Sequence, residues 1–161
     1  MKSLVTRTGG LRVFTKALDL VAEEVRQQVN EGARAVRNIA RRSVRAKDKS
    51  GALYSRPRGE GRQKYRASAP GEAPARFSGH LVGHIRMYPA KRGRSRAVAW
   101  VGSTSPHAHL LEFGTVNMKP RPFMGPAARQ AKAQNYRNIK AAAKRGVQAA
   151  ARKASTARAA K

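Results

Sequence analysis

Among the side chains able to do chemistry, the four histidines come first. His80 and His84 are four residues apart, and His107 and His109 are two apart. Imidazole nitrogens are good zinc ligands, but a site needs three or four donors, and no carboxylate stands at ligand spacing from either pair. The chain contains no cysteine, which excludes disulfides and thiolate metal centres. Ser78 lies close to His80 and His84, yet no acid completes a triad and no G-x-S-x-G elbow presents the serine. Glu23 and Glu24 are neighbours on a helical stretch. The GEGR run at 59–62 lacks the strand-before and helix-after context of a phosphate loop. No set of catalytic roles can be filled from these residues. The expectation is a protein that is not an enzyme, with no catalytic residues, no metal site and no cofactor.

What the composition does specify is charge. The 161 residues hold 35 Lys and Arg against 8 Asp and Glu, a formal net charge of +27. Self-repulsion on this scale disfavours a compact monomer and makes polyanions or oligomeric partners the first expectation. Seven of the acids lie in residues 1–72, and beyond them only Glu112 remains; after it come twelve cations and no acid. A one-sign block of this length is a solvated arm or a polyanion-binding face. Glu112 itself is expected to find a partner, as an ion pair or a cap. No run of 18 apolar residues occurs, so no membrane-spanning helix is expected, and the first residues lack the apolar core of a secretory signal.

The elements that would position these groups follow from periodicity. Phe14, Leu18, Val21, Val25, Val29, Gly32, Val36 and Ile39 step by three or four residues, which predicts one long amphipathic helix over 14–46. Gly32 within the stripe is either a tolerated glycine or a point of close backbone approach. Residues 47–77 hold glycines, prolines and cations without a period and read as a long basic loop. Tyr54 and Tyr65 among Arg56, Arg58, Arg62, Lys64 and Arg66 make that segment a nucleic-acid surface or one that orders against a neighbouring subunit. Alternation over 80–88 and the run AVAWVG at 97–102 predict an antiparallel hairpin with a cationic tip, PAKRGRSR. Trp100, the single tryptophan, is expected to anchor the core. Ser105-Pro106 reads as the start of a short helix ending at Gly114. Pro126 opens a last helix through Ala150 or beyond, rich in Ala, Lys and Arg, and the closing ARKASTARAAK reads as a frayed basic tail. The fold class expected is α+β: a long N-terminal amphipathic helix packed on a small antiparallel sheet, a short helix, then a C-terminal basic helix. One domain spans 1–146, followed by a basic extension at 147–161.

The order of the pieces, HAHLLEFGT at 107–115 and KPRPFMGPA at 119–127, resembles a family of tail-completion or head–tail joining proteins of long-tailed bacteriophages, which includes the minor tail protein Z of lambda. Ala108, Glu112, Phe113, Gly114 and Thr115 match the family's A-x-x-x-E-F-G-T, and Pro120, Pro122, Phe123, Pro126 and Ala127 its P-x-P-F-x-x-P-A. Upstream, APGEAP at 69–74 and SGHL at 78–81 look like its A-P-G-x-x-P and T-G-x-L, with serine for threonine. The likeness covers roughly residues 14–140; the strong positive charge and the basic tail depart from it.

That resemblance implies a structural virion protein of the neck or head-proximal tail end, assembled in the host cytoplasm and forming a homo-oligomeric ring, most simply a hexamer. Its implied partners are other neck and tail proteins: tail terminator, tube, tape-measure or head-completion protein. The subunit interface is expected at Ala108, Leu111, Glu112, Phe113, Gly114, Thr115, Pro122, Phe123 and Pro126, with Phe123 aimed at a pocket of the partner. Double-stranded DNA, bound without regard to sequence, or an acidic lumen is expected against Arg92, Arg94, Arg129, Lys132, Arg137, Lys140, Lys144, Arg145, Arg152 and Lys153. The competing reading is a sequence-independent nucleic-acid-binding protein of ribosomal or nucleoid type.

Overall fold

The amphipathic stripe and the absence of proline before Pro57 let one helix run unbroken through the first third of the chain. In the computed structural model, which describes residues 3–59, 61–91 and 96–159, this is α1, Ser3–Arg45, about 65 Å long at 1.5 Å per residue. Its C-terminal turn carries Arg42 and Arg45, the favourable sign at that end of the helix dipole. There follow β1, Leu53–Arg58, and β2, Gly61–Arg66; then α2, His80–His84, β3, Ile85–Tyr88, and β4, Trp100–Ser103; then α3, Ala108–Phe113, and α4, Met124–Ala159. The fold is α+β, with two separate two-stranded antiparallel sheets, β1–β2 and β3–β4.

The chain divides into two compact units: Met1–Gly32 with Pro89–Ala99 and Ala133–Lys161, and Ala33–Tyr88 with Trp100–Lys132. In the first, small residues let α1 and α4 approach closely. A Cβ placed on Gly146 would meet Val21 Cα at 2.8 Å, and one on Gly32 would meet the Asn135 side chain at 3.0 Å. The order of these two contacts makes the helices antiparallel. Gly32 is therefore a point of close approach, reinforced by Asn135 Nδ2 donating to Gly32 O at 3.3 Å. Buried Asn30 accepts from Ala90 N at 2.7 Å, which ties the segment after β3 to α1. In the second unit the core is Ala40, Val44, Val82, Ile85, Ala108, Phe123 and Ala127.

Several local expectations are corrected. Residues 47–77 are not a loop throughout: β1 and β2 pair from Leu53↔Arg66 to Arg58↔Gly61. Pro57 and the high charge hide the alternation, but Gly59, just after β1, takes the left-handed backbone at φ +59° that favours glycine. The alternation read over 80–88 splits into the α2 turn and β3. In LVGHI the same residues satisfy a helical face, and Val82 and Ile85 are both buried. Gly79 at φ +85° and the Ser78 hydroxyl accepting from His80 N at 3.2 Å start that turn. Trp100 does not anchor the core; it is 69% exposed. It pairs with Tyr88 on the outer side of the β3–β4 hairpin, with Arg86 and Gly102, while Ile85, Met87 and Val101 take the inner side. Ser105 supplies no side-chain cap, since α3 begins after His107 without one. The closing run is helical to Ala159 rather than frayed, which alanine propensity favours.

Phe123 is also corrected: it is buried to 1% in the core of its own unit and is the largest fully buried side chain among the described residues. Phe123→Ala is accordingly a core deletion. It should cost about 3–5 kcal/mol, read as a large fall in the thermal unfolding midpoint of the purified chain; a midpoint within a degree or two of the parent would refute this placement.

Candidate functional site

A helix leaves its first four N–H groups without internal partners. At the start of α4 these belong to Phe123, Met124, Gly125 and position 126, where proline has no N–H. The carboxylate of Glu112 takes the other three. Oε2 accepts from Phe123 N at 2.8 Å and from Met124 N at 3.0 Å, and Oε1 accepts from Gly125 N at 2.8 Å. The solitary acid of the basic half is thus a cap supplied from another helix, and it sets a negative charge at the positive end of the α4 dipole. Gly125 makes room for it, since a Cβ there would lie 3.0 Å from Oε1.

Gly114 closes α3 by donating to Leu110 O at 2.8 Å, with φ +80°. A side chain at this position would strike Met118 O at 2.7 Å. Thr115 N and Met118 O then pair at 2.8 Å, and this tight turn leaves Val116 fully exposed at its tip. The connection returns to α3 through Arg121 N donating to Leu111 O at 2.7 Å.

The upstream proline segment joins the same assembly. Gly71 N donates to Pro120 O at 2.9 Å, and Arg121 Nε donates to Ser68 O at 3.0 Å. Glu72 holds this segment's fold, accepting from Ala69 N at 2.9 Å and Ser50 N at 3.2 Å as well as from the Ser50 hydroxyl. These hydrogen bonds, the Ser50 hydroxyl first, pull the Glu72 carboxyl down to about 2. Beside the segment lies an open cleft of about 310 Å³ whose lining includes Tyr65, Pro74, Phe77, Leu81, Leu111 and Arg121. Segment 69–74, remote in sequence, therefore converges with the adjacent segments 107–115 and 119–127 on one platform in the second unit.

The structure divides the expected interface residues. Ala108 and Phe123 are buried; Leu111, Glu112, Gly114, Pro122 and Pro126 are half-buried; Phe113, at 79%, and Thr115 are exposed. Only the last two, with Val116, offer an open surface. Of the expected anion contacts, Arg129, Lys132, Arg137, Lys140, Lys144, Arg145, Arg152 and Lys153 are all exposed along α4. Arg145 lies 3.9 Å from Glu24, and Arg137 donates to Gln134 at 2.8 Å. Arg92 and Arg94 lie outside the described residues. The His80 and His84 rings stack at 3.8 Å, with His84 Nδ1 2.7 Å from His80 O, and no group of three metal-binding side chains forms among the described residues. No described helix is long and apolar enough to cross a membrane.

The sequence reading missed Arg41, whose Nε and Nη2 donate to Ile85 O at 3.1 and 2.7 Å. Burial first, then the neighbouring Arg37, Arg45 and Arg86, push its guanidinium below its ordinary value. It stands on the polar side of the α1 stripe, so periodicity alone marks it as solvated. Comparison with protein-family models, with curated proteins and with solved structures gives no match.

Two outcomes test the platform. Glu112→Gln keeps the size but loses the charge and one good acceptor, and should lower stability by about 1–2 kcal/mol in denaturant unfolding; an unchanged midpoint would contradict the cap. The depressed carboxyl of Glu72 contributes stability that is fully present above its unfolded value of 4.5 and is lost as pH falls through about 2. Glu72→Gln should therefore flatten the acid limb of the melting-temperature profile between these values while changing its shape little above pH 5.

Proposed function

We propose that this chain is a structural component of a bacteriophage neck or head-proximal tail end, which completes the tail or joins it to the head as a ring of identical subunits. The observation that carries this reading is the convergence of three of its four motif segments. Residues that resemble the joining family supply hydrogen bonds that build the platform: Gly71 to Pro120, Glu112 to the start of α4, and Gly114 to Leu110. The platform fixes α3 so that Phe113 stands exposed beside the Thr115–Met118 turn with Val116 at its tip. Apolar groups of this size held rigidly in water are suited to burial by a partner.

Heterologous contacts between identical subunits close into rings when the rotation between neighbours closes, and a ring would cover apolar surface that this small-residue core leaves wet. The net charge of +27 supports a polyanion or an acidic wall as the ring's other neighbour. A plain sequence-independent nucleic-acid-binding protein is the second reading. It is favoured by the row of exposed cations along α4, where Glu112, the nearest acid in sequence, is engaged by backbone N–H groups.

Mass photometry at low and high salt, with and without duplex DNA, separates the two. The joining reading predicts a discrete ring without DNA, most simply of six subunits. A monomer that gathers only on DNA and disperses with salt would favour the second reading. Phe113→Asp should leave the unfolding free energy within about 0.5 kcal/mol of the parent, as expected for an exposed site, while abolishing the ring; a ring formed in normal yield would remove Phe113 from the interface.

A further inference from the structure

The β1–β2 hairpin separates its side chains into two unlike faces. Alternation and register put Tyr54, Arg56, Tyr65 and Gln63 on one side. Their contacts bear this out: Tyr54 and Tyr65 stack at 5.5 Å, Tyr65 meets the Phe77 ring edge-on at 5.1 Å, and the Arg56 guanidinium lies 4.0 Å over Phe77. This face fixes the hairpin to the rest of its unit. The other face carries Arg62, Lys64 and Arg66 on β2, opposite Pro57, Ser55 and Leu53 on β1.

All three cations are exposed. Arg66 donates to Gly51 O at 3.2 Å. Among the described residues, no ion pair or hydrogen bond engages Arg62 or Lys64. The segment 53–66 has five cations and one acid, Glu60, which lies outside the described residues. Two residues of strand rise place successive cations about 7 Å apart along one straight edge, with only small or neutral side chains beside them. A two-stranded ribbon is also an element that the major groove of duplex DNA admits.

We propose that this face of the β1–β2 ribbon is a sequence-independent contact for the phosphate backbone of duplex DNA, separate from the cations of α4, with Arg62 and Lys64 its principal phosphate ligands. The geometry favours nucleic acid over an acidic protein because the cations form a single regular row. The face's one large apolar side chain, Leu53, lies half exposed at the far end of the row beside Arg66, away from Arg62, and is a poor match for the aromatic anchors on which protein interfaces concentrate their energy. The row has no Asn or Gln to pair with adenine, and cations directed at phosphates position DNA without selecting its sequence. The proposal rests on the anionic-partner part of the function proposed above and not on the ring.

The test is the salt dependence of binding of the full-length chain to a short fluorescent duplex. Arg62→Gln/Lys64→Gln should lower the slope of log affinity against log salt by about 1.8, two phosphates at about 0.9 each, and weaken binding roughly 60-fold at 0.1 M salt. The charge-keeping exchange Arg62→Lys/Lys64→Arg should retain the parent slope, and both variants should keep the parent's circular dichroism because the side chains are exposed. An unchanged slope in the glutamine variant would overturn the proposal, as would a parent protein that fails to bind duplex at low salt. So would polyglutamate that competes as well as DNA at equal charge concentration. Particle mass measured on the same samples keeps the two readings apart: a ring with an unaltered slope overturns the ribbon alone, and a ribbon-dependent slope in a monomer overturns the ring alone.

Discussion

The interaction on which the second unit depends is the single carboxylate of Glu112 seated on the first turn of α4. Three backbone N–H groups converge on it, and Pro126 removes the fourth donor that would otherwise need a partner. No acid follows Glu112 in the sequence, so no local residue could supply the negative charge that a helix N-terminus favours. The cap therefore comes from α3, and it joins two helices across a connection that contains two prolines, Pro120 and Pro122. Once α3 and α4 are held in this way, Phe123 sits in the core, Leu111 faces the cleft and Phe113 points to solvent. Burial of Phe123 and capping by Glu112 act on adjacent residues, so the first turn of α4 is fixed by packing and by charge together.

The same physical logic accounts for what could be read from the sequence. The long helix was legible because a three-four repeat from Phe14 to Ile39 has no competing explanation, and the last helix because alanine-rich runs without proline have a strong intrinsic preference. Glu112 stood out by its isolation, and its role as a cap rather than an ion pair depended on a backbone eleven residues downstream that no local pattern displays. The role of Phe123 was inverted for a related reason. An aromatic between prolines reads equally as an anchor for a partner or as a plug for the chain's own core, and only the tertiary fold decides. Trp100 shows the converse: its size argues for burial, but one position in a short strand sets its side, and that side is the outer one. The hairpin at 53–66 was hidden because charge replaced the usual apolar alternation; its one local signal was the glycine pair around Glu60.

Charge and packing impose opposite demands on this chain. Close approach at Gly32 and Gly146 lets α1 and α4 pack through small residues, which buries little apolar area per residue and yields correspondingly little stabilisation. The 35 cations repel one another across a structure held by so modest a core. Assembly with further copies would add buried apolar surface at Phe113 and Val116, and contact with a polyanion would relieve the repulsion. The proposed ring and the proposed ribbon contact would each answer this imbalance. They would act on different surfaces, since one would use rigid apolar groups beside α3 and the other a row of cations on β2.

The most direct test of the account is residue-resolved amide hydrogen exchange at the start of α4. N–H groups in the first turn of a helix ordinarily have no internal acceptor and exchange readily. If Glu112 holds the platform together, the amides of Phe123, Met124 and Gly125 will be protected nearly as strongly as those in the middle of the same helix, and will open together. Rapid, independent exchange at these three positions would contradict the cap and, with it, the platform on which the functional reading is built.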